Sequence, residues 1–114
     1  MHELGIVFNI IESVEKIGEE NALTKVSSVT LEIGEVSGIV PSYLTDCWKW
    51  SVEKSHLLKG SELKIETLSA VTYCNNCENT YSTIEYKKIC PYCQSEDTFL
   101  LTGNEVSIKE IEAC

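Results

Sequence analysis

Cys74-Asn75-Asn76-Cys77 and Cys90-Pro91-Tyr92-Cys93, separated by twelve residues, decide how this chain is read. Two cysteines three apart on a tight turn aim both sulfurs at one point. A second such turn completes a tetrahedron, which Zn²⁺ accepts without preference from its filled d shell. Asn75 and Asn76 are expected to take the unusual backbone angles that the first turn needs. The rival reading, a pair of redox dithiols, lacks the βαβ surroundings of such motifs. Four thiolates fill the coordination sphere and leave no position for an activated water, so the site reads as structural.

The segment 70–103 is too small for a core of its own. A structural zinc contributes on the order of 10 kcal/mol to folding and substitutes for that core. Working outward, residues 70–103 are expected to form a zinc ribbon inserted into an α+β domain made of residues 1–69 with 104–114. That domain is expected to hold two helices packed on a small mixed three-stranded sheet.

The chain has 114 residues, 18 acidic side chains against nine lysines, no arginine and a net charge of −9. Zinc bound by four thiolates adds about two more negative charges. Such a chain is a poor ligand for nucleic acid, where phosphate neutralisation dominates affinity, and a better one for cations or basic protein surfaces. No secretion signal is visible and no apolar run approaches membrane-spanning length. Metal-spaced cysteines without a signal point to the reducing cytoplasm.

Residues 4 to about 17 read as an amphipathic helix with Ile6, Ile10, Val14 and Ile17 on its apolar stripe, ended by Gly18 or Asn21. Val26–Val36 alternates as a strand, with Val29, Leu31 and Ile33 inward. Gly34 and Gly38 bracket a loop. Pro41 or Ser42 opens a second helix, which Lys59-Gly60 ends. Leu44, Cys47, Trp48, Ser51 and Val52 share its buried face, and His56 falls in its last turn. Glu62–Thr67 alternates again. Gly103-Asn104 reads as a two-residue hairpin turn between Thr98–Thr102 and Val106–Ile108, with a bulge or strand end before Ile111. Cys47 reads as a small buried residue, Cys114 as exposed and without a role, and Trp50 as exposed.

His2 has two readings. It is a surface residue near a chain end, or its imidazole joins the α-amine and the first backbone amides in a planar nitrogen set suited to Ni²⁺ or Cu²⁺. Glu3 either complements the helix dipole or contributes an amide nitrogen or carboxylate to that set.

Met1-His2-Glu3-Leu4, the run Leu31-Glu32-Ile33-Gly34-Glu35-Val36-Ser37-Gly38-Ile39-Val40-Pro41, the two cysteine pairs and the closing Gly103-Asn104-Glu105 with Ile108 and Ile111-Glu112 together resemble the HypA/HybF family. Its members are nickel-insertion accessory proteins of [NiFe]-hydrogenase maturation. The resemblance covers essentially the whole chain. It implies a non-enzymatic nickel metallochaperone, with nickel held at Met1, His2 and Glu3 and structural zinc at Cys74, Cys77, Cys90 and Cys93. It also implies a nickel-handling maturation GTPase of the HypB type as partner and delivery to the hydrogenase large subunit, with urease maturation proteins as a second client in some members. Some members add a nickel-ligand side chain in the loop after the first strand. Here that loop offers Val36, Ser37, Ile39 and Val40, which leaves the N-terminus or water to complete the site.

Two other functions compete. A zinc-ribbon adaptor for nucleic acid is disfavoured because Lys87 and Lys88 face Glu78, Glu85, Glu96 and Asp97 in the same segment. A zinc hydrolase is disfavoured by saturated coordination and the lack of a His-Glu-x-x-His helix.

Overall fold

The computed structural model describes residues 3–114. It is an α+β chain with two three-stranded sheets. Two compact units form. The first comprises the chain up to Leu31 with Ile39–Glu66 and Ser107–Cys114; the second comprises Glu32–Gly38 with Thr67–Val106.

In the first unit, helix α1 (Glu3–Glu20) buries Glu3, Val7, Ile10, Val14 and Gly18 and packs against helix α2 (Pro41–Val52). This stripe is rotated from the expected one: Ile6 is half-buried and Ile17 exposed. Gly18 supplies the reason. A Cβ there would come within 2.5 Å of Leu57 Cδ2, so Leu57 seats on the bare backbone and draws that face inward. The helix runs past Gly18 and closes with a Schellman motif, Leu23 N–H on Gly18 O at 2.9 Å and Ala22 N–H on Glu19 O at 3.4 Å. Ala22 sits at the left-handed position with φ 53°. Alanine is strained there and glycine is not. Ala22→Gly is therefore expected to raise stability by about 0.5–1 kcal/mol, read as a higher urea midpoint at unchanged slope.

Pro41 opens α2 as expected, but the helix stops at Val52 rather than at Lys59-Gly60. Ser55 causes the stop. Its hydroxyl accepts the Leu58 N–H at 3.2 Å and donates to Glu15 Oε2 at 2.8 Å, starting a separate turn. His56 therefore lies in that turn, outside the helix. Trp48 is fully buried and donates its indole N–H to Ser61 O at 3.0 Å, fixing the end of the turn.

The first sheet has the order β2-β1-β6, with β1 (Val26–Gly34) between β2 (Glu62–Leu68) and β6 (Val106–Ala113). Val29, Leu31 and Ile33 are buried as expected, yet Ser28 and Thr30 are buried too. The flanking strands cover them. Lys64 of β2 reaches Glu112 of β6 at 2.8 Å and Lys109 of β6 reaches Glu66 of β2 at 2.6 Å, so both pairs pass over β1. Ser28 donates its hydroxyl to Glu112 beneath the first pair. The polar face is thereby shaded by lysine stems. β6 continues through Ile111 to Ala113 instead of ending early.

The second unit contains β3 (Val71–Cys74), β4 (Thr80–Ser82), the one-turn helix α3 (Thr83–Tyr86) and β5 (Thr98–Thr102), in a sheet of order β4-β3-β5. β5 pairs antiparallel with β3, Tyr73 opposite Phe99 and Cys74 opposite Thr98. The expected β5–β6 hairpin does not form, because β6 belongs to the other sheet. The corner is held by a carboxylate: Glu105 Oε1 accepts the N–H groups of Gly103 at 2.7 Å and Asn104 at 2.9 Å.

Those bonds, the Gly103 N–H first, hold the Glu105 carboxyl below its ordinary range. A depressed carboxylate stabilises the fold above its ordinary pKa, and the contribution is lost as pH falls through the depressed value. Glu105→Gln is therefore expected to be less stable than wild type at pH 7. The gap should close below the ordinary carboxylate range, as urea melts at stepped pH would show.

At the same corner three chain segments cross. A Cβ on Gly34 would lie 2.0 Å from Gly103 O, and one on Gly103 (φ +114°) would lie 2.4 Å from Ala70 Cα. Gly34 N–H bonds Glu105 O at 2.7 Å, Val36 N–H bonds Gly103 O at 2.9 Å, and the Glu35 carboxylate accepts the Ala70 N–H at 2.9 Å.

Candidate metal centre

The sequence from Cys74 to Ser95 folds as two copies of one turn. In the first, Glu78 N–H bonds Cys74 O at 2.9 Å and Cys74 N–H bonds Asn79 O at 2.9 Å; in the second, Gln94 N–H bonds Cys90 O at 2.8 Å and Cys90 N–H bonds Ser95 O at 3.0 Å. Glu78 (φ 62°) and Gln94 (φ 63°) take the left-handed conformation. The unusual angles thus fall on the residue after each pair, not on Asn75 or Asn76. Asn76 serves the sulfurs instead. Its side-chain amide donates to Cys93 Sγ at 3.3 Å, as Asn79 donates to Cys77 Sγ at 3.3 Å. Cysteine spacing alone does not reveal these donors. Amides inside and just after a CxxC pair are the signal, since thiolate ligands need outer hydrogen bonds.

The four sulfurs of Cys74, Cys77, Cys90 and Cys93 lie within 4.8 Å of one another. Cys74 and Cys93 are 3.5 Å apart, Cys77 and Cys90 3.6 Å. A tetrahedron with Zn–S bonds of about 2.3 Å has sulfurs about 3.8 Å apart, so the set fits zinc. Cys74 and Cys90 are fully buried, Cys77 and Cys93 half-buried. Without metal, the Asn76 amide and then the Ser95 N–H draw the Cys93 thiol down to about 6. The Cys77 N–H lowers the Cys74 thiol too, but burial and the neighbouring thiols outweigh it and push Cys74 up to about 11. A metal displaces thiol protons, so binding strengthens as pH rises.

Of the expected nickel residues, Met1 and His2 lie outside the described residues. Glu3 is buried at the first position of α1, and its Oε2 accepts the Val40 N–H at 3.3 Å. It joins the start of α1 to the start of α2. Of the remaining cysteines, Cys47 is half-buried and Cys114 exposed.

A sequence profile described as "Hydrogenase/urease nickel incorporation, metallochaperone, hypA" matches residues 1–113. The chain belongs to the HypA family. It is 36% identical over 112 residues to the hydrogenase maturation factor HypA of Psychromonas ingrahamii, covering 98% of this chain and 97% of that protein. It is 32% identical over 112 residues to HypA of Geobacter sulfurreducens, covering 98% of each. A solution structure of a HypA protein superposes with a TM-score of 0.79 at 25% identity, covering 100% of this chain and 97% of the other. The Ni metallochaperone HypA from Helicobacter pylori shares the fold, with a TM-score of 0.77 at 24% identity, covering 99% of this chain and 97% of that one. HypA proteins are nickel metallochaperones of hydrogenase maturation. Among the described residues no helix is long and apolar enough to cross a membrane.

Proposed function

We propose that this chain takes up Ni(II) at its N-terminal segment Met1, His2 and Glu3. It then hands the ion, in the cytoplasm, to the large subunit of a [NiFe] hydrogenase with the help of a HypB-type GTPase. Cys74, Cys77, Cys90 and Cys93 hold a zinc ion that shapes the fold and takes no part in transfer. The reading rests on the family match over residues 1–113. The same family description names urease, so urease maturation proteins are the second candidate client.

The start of α1 adds chemical support. A backbone amide nitrogen next to the chain terminus can bind Ni(II) in place of its proton. The Glu3 carboxylate already accepts from Val40, so the Glu3 amide is the better donor. Amide nitrogens with the His2 imidazole form a planar set, which suits Ni(II) and not tetrahedral zinc.

The test is a Ni(II) titration of zinc-loaded protein by calorimetry with absorption spectra. One-to-one binding with a planar-nickel spectrum is expected, lost in His2→Ala and in a variant extended before Met1 while zinc content persists. Glu3→Gln keeps the amide and is expected to keep the spectrum. Undiminished binding in both controls would sink the N-terminal site. Loss in Glu3→Gln would transfer the role to the carboxylate.

A further inference from the structure

The second unit carries a cleft of about 550 Å³ that the metal chemistry does not use. Its lining combines apolar Val36, Phe99 and Leu100 with the charged side chains of Lys87, Lys88 and Glu96. The two lysines are the only cationic side chains in Glu32–Gly38 and Thr67–Val106, a unit otherwise studded with carboxylates. Both are thus concentrated at one opening, of a volume usual for ligand sites.

The turn that presents them is built. Lys87 adopts φ 58° and ψ −126°, a region that favours glycine. It is held there by Tyr81, which donates its hydroxyl to Lys87 O at 2.8 Å, and Lys88 is fixed by Thr98, which donates to Lys88 O at 2.8 Å. The threonines of the wall satisfy each other, Thr72 and Thr83 at 2.6 Å, so they do not account for the lysines.

Beside the cleft, β5 is the edge strand of its sheet. It reads Thr98-Phe99-Leu100-Leu101-Thr102 with no charge and no proline, and Phe99, Leu100 and Leu101 are 46%, 38% and 52% exposed. Edge strands are normally protected by charge, proline or cover. An uncharged apolar edge next to a cationic apolar cleft matches strand addition by an extended peptide, where the backbone binds the edge and side chains choose the pockets.

We infer that the cleft and the β5 edge together receive an extended segment of a partner protein that is apolar at alternate positions and carries a carboxylate for Lys87 and Lys88. Charge complementarity selects this occupant. A second copy of this chain carries the same net −9, so its approach is opposed by charge. The inference is independent of where nickel binds.

The test selects from a displayed library of random eight-residue peptides on the zinc-loaded full chain, then maps the selected peptide by amide NMR. Enrichment of apolar sequences bearing Asp or Glu is expected, with shifts confined to Val36, Lys87, Lys88 and Phe99–Leu101. Lys87→Gly with Lys88→Glu, which relieves the strained backbone and inverts the charge, should keep zinc and weaken that peptide about ten-fold or more. Against the same variant, selection should turn to peptides bearing Lys or Arg. No enrichment, a preference of wild type for basic peptides, or shifts elsewhere would overturn the inference. Concentration-dependent β5 shifts without peptide would also overturn it and assign the edge to a second copy.

Discussion

Cys90→Ser, or removal of zinc by a chelator at neutral pH, is expected to unfold the cysteine-bearing unit while the two tryptophans keep their native emission. The packing argues for this. Between residues 67 and 106 no Leu, Ile, Val or Phe is buried. The buried cluster there consists of Cys74, Cys90 and Tyr81, with Cys77 and Cys93 against it. The ligands are therefore most of the core. A structural zinc contributes about 10 kcal/mol or more, which is comparable with the whole stability of a small domain. Trp48 and Trp50 both lie in α2, in the unit with the aliphatic core of Val7, Val14, Val29, Leu31 and Leu44. Tryptophan emission and the amide spectrum of residues 71–102 thus report the two units separately. A dispersed spectrum for those residues without metal would show that the ribbon has another source of stability.

Gly34→Ala should produce the largest loss available from a single methyl group. The added Cβ would meet Gly103 O at 2.0 Å, Gly103 C at 2.2 Å and Asn104 N at 2.6 Å. All three are backbone atoms, so no flexible side chain can give way. Relief requires parting the crossing, which breaks the Gly34–Glu105 and Val36–Gly103 backbone bonds. The expected cost is about 3 kcal/mol or more, a drop in melting temperature on the order of 10 °C. Gly38→Ala is the control for glycine entropy, as its Cβ would meet nothing within 4 Å, though φ +81° adds some strain. If Gly34→Ala melts no lower than Gly38→Ala, the crossing is looser than its geometry implies.

The parts of the fold legible in the sequence are those written as local pattern. The cysteine spacing identifies the four sulfurs that meet, Pro41 marks the start of α2, and alternation in Val29, Leu31 and Ile33 marks the inward face of β1. What is hidden depends on side chains acting at a distance. Ser55 ends α2 through bonds to Leu58 and Glu15, a role no propensity encodes. Ser28 and Thr30 look like an exposed face until lysines from strands on either side are laid over them. Gly103-Asn104 is a turn, as its composition suggests, but Glu105 and the contact with Ala70 make it a passage between sheets. In the metal centre, Asn76 is legible as a turn residue and illegible as a donor to Cys93, which lies across the site.

The two turns that carry the cysteines are held chiefly by local backbone bonds, which join residues four or five apart from Cys74 to Asn79 and from Cys90 to Ser95; the Asn75 N–H reaches further, to Asp97 O at 2.9 Å. Each half can therefore take shape before its counterpart arrives. An ion captured by one half meets the other across a tether of only twelve residues, from Glu78 to Ile89. Closing so short a tether costs little entropy and keeps the second pair of sulfurs at a high effective concentration. Loading then becomes an encounter of two ready-made jaws, and an ion that slips from one of them stays in the grip of the other.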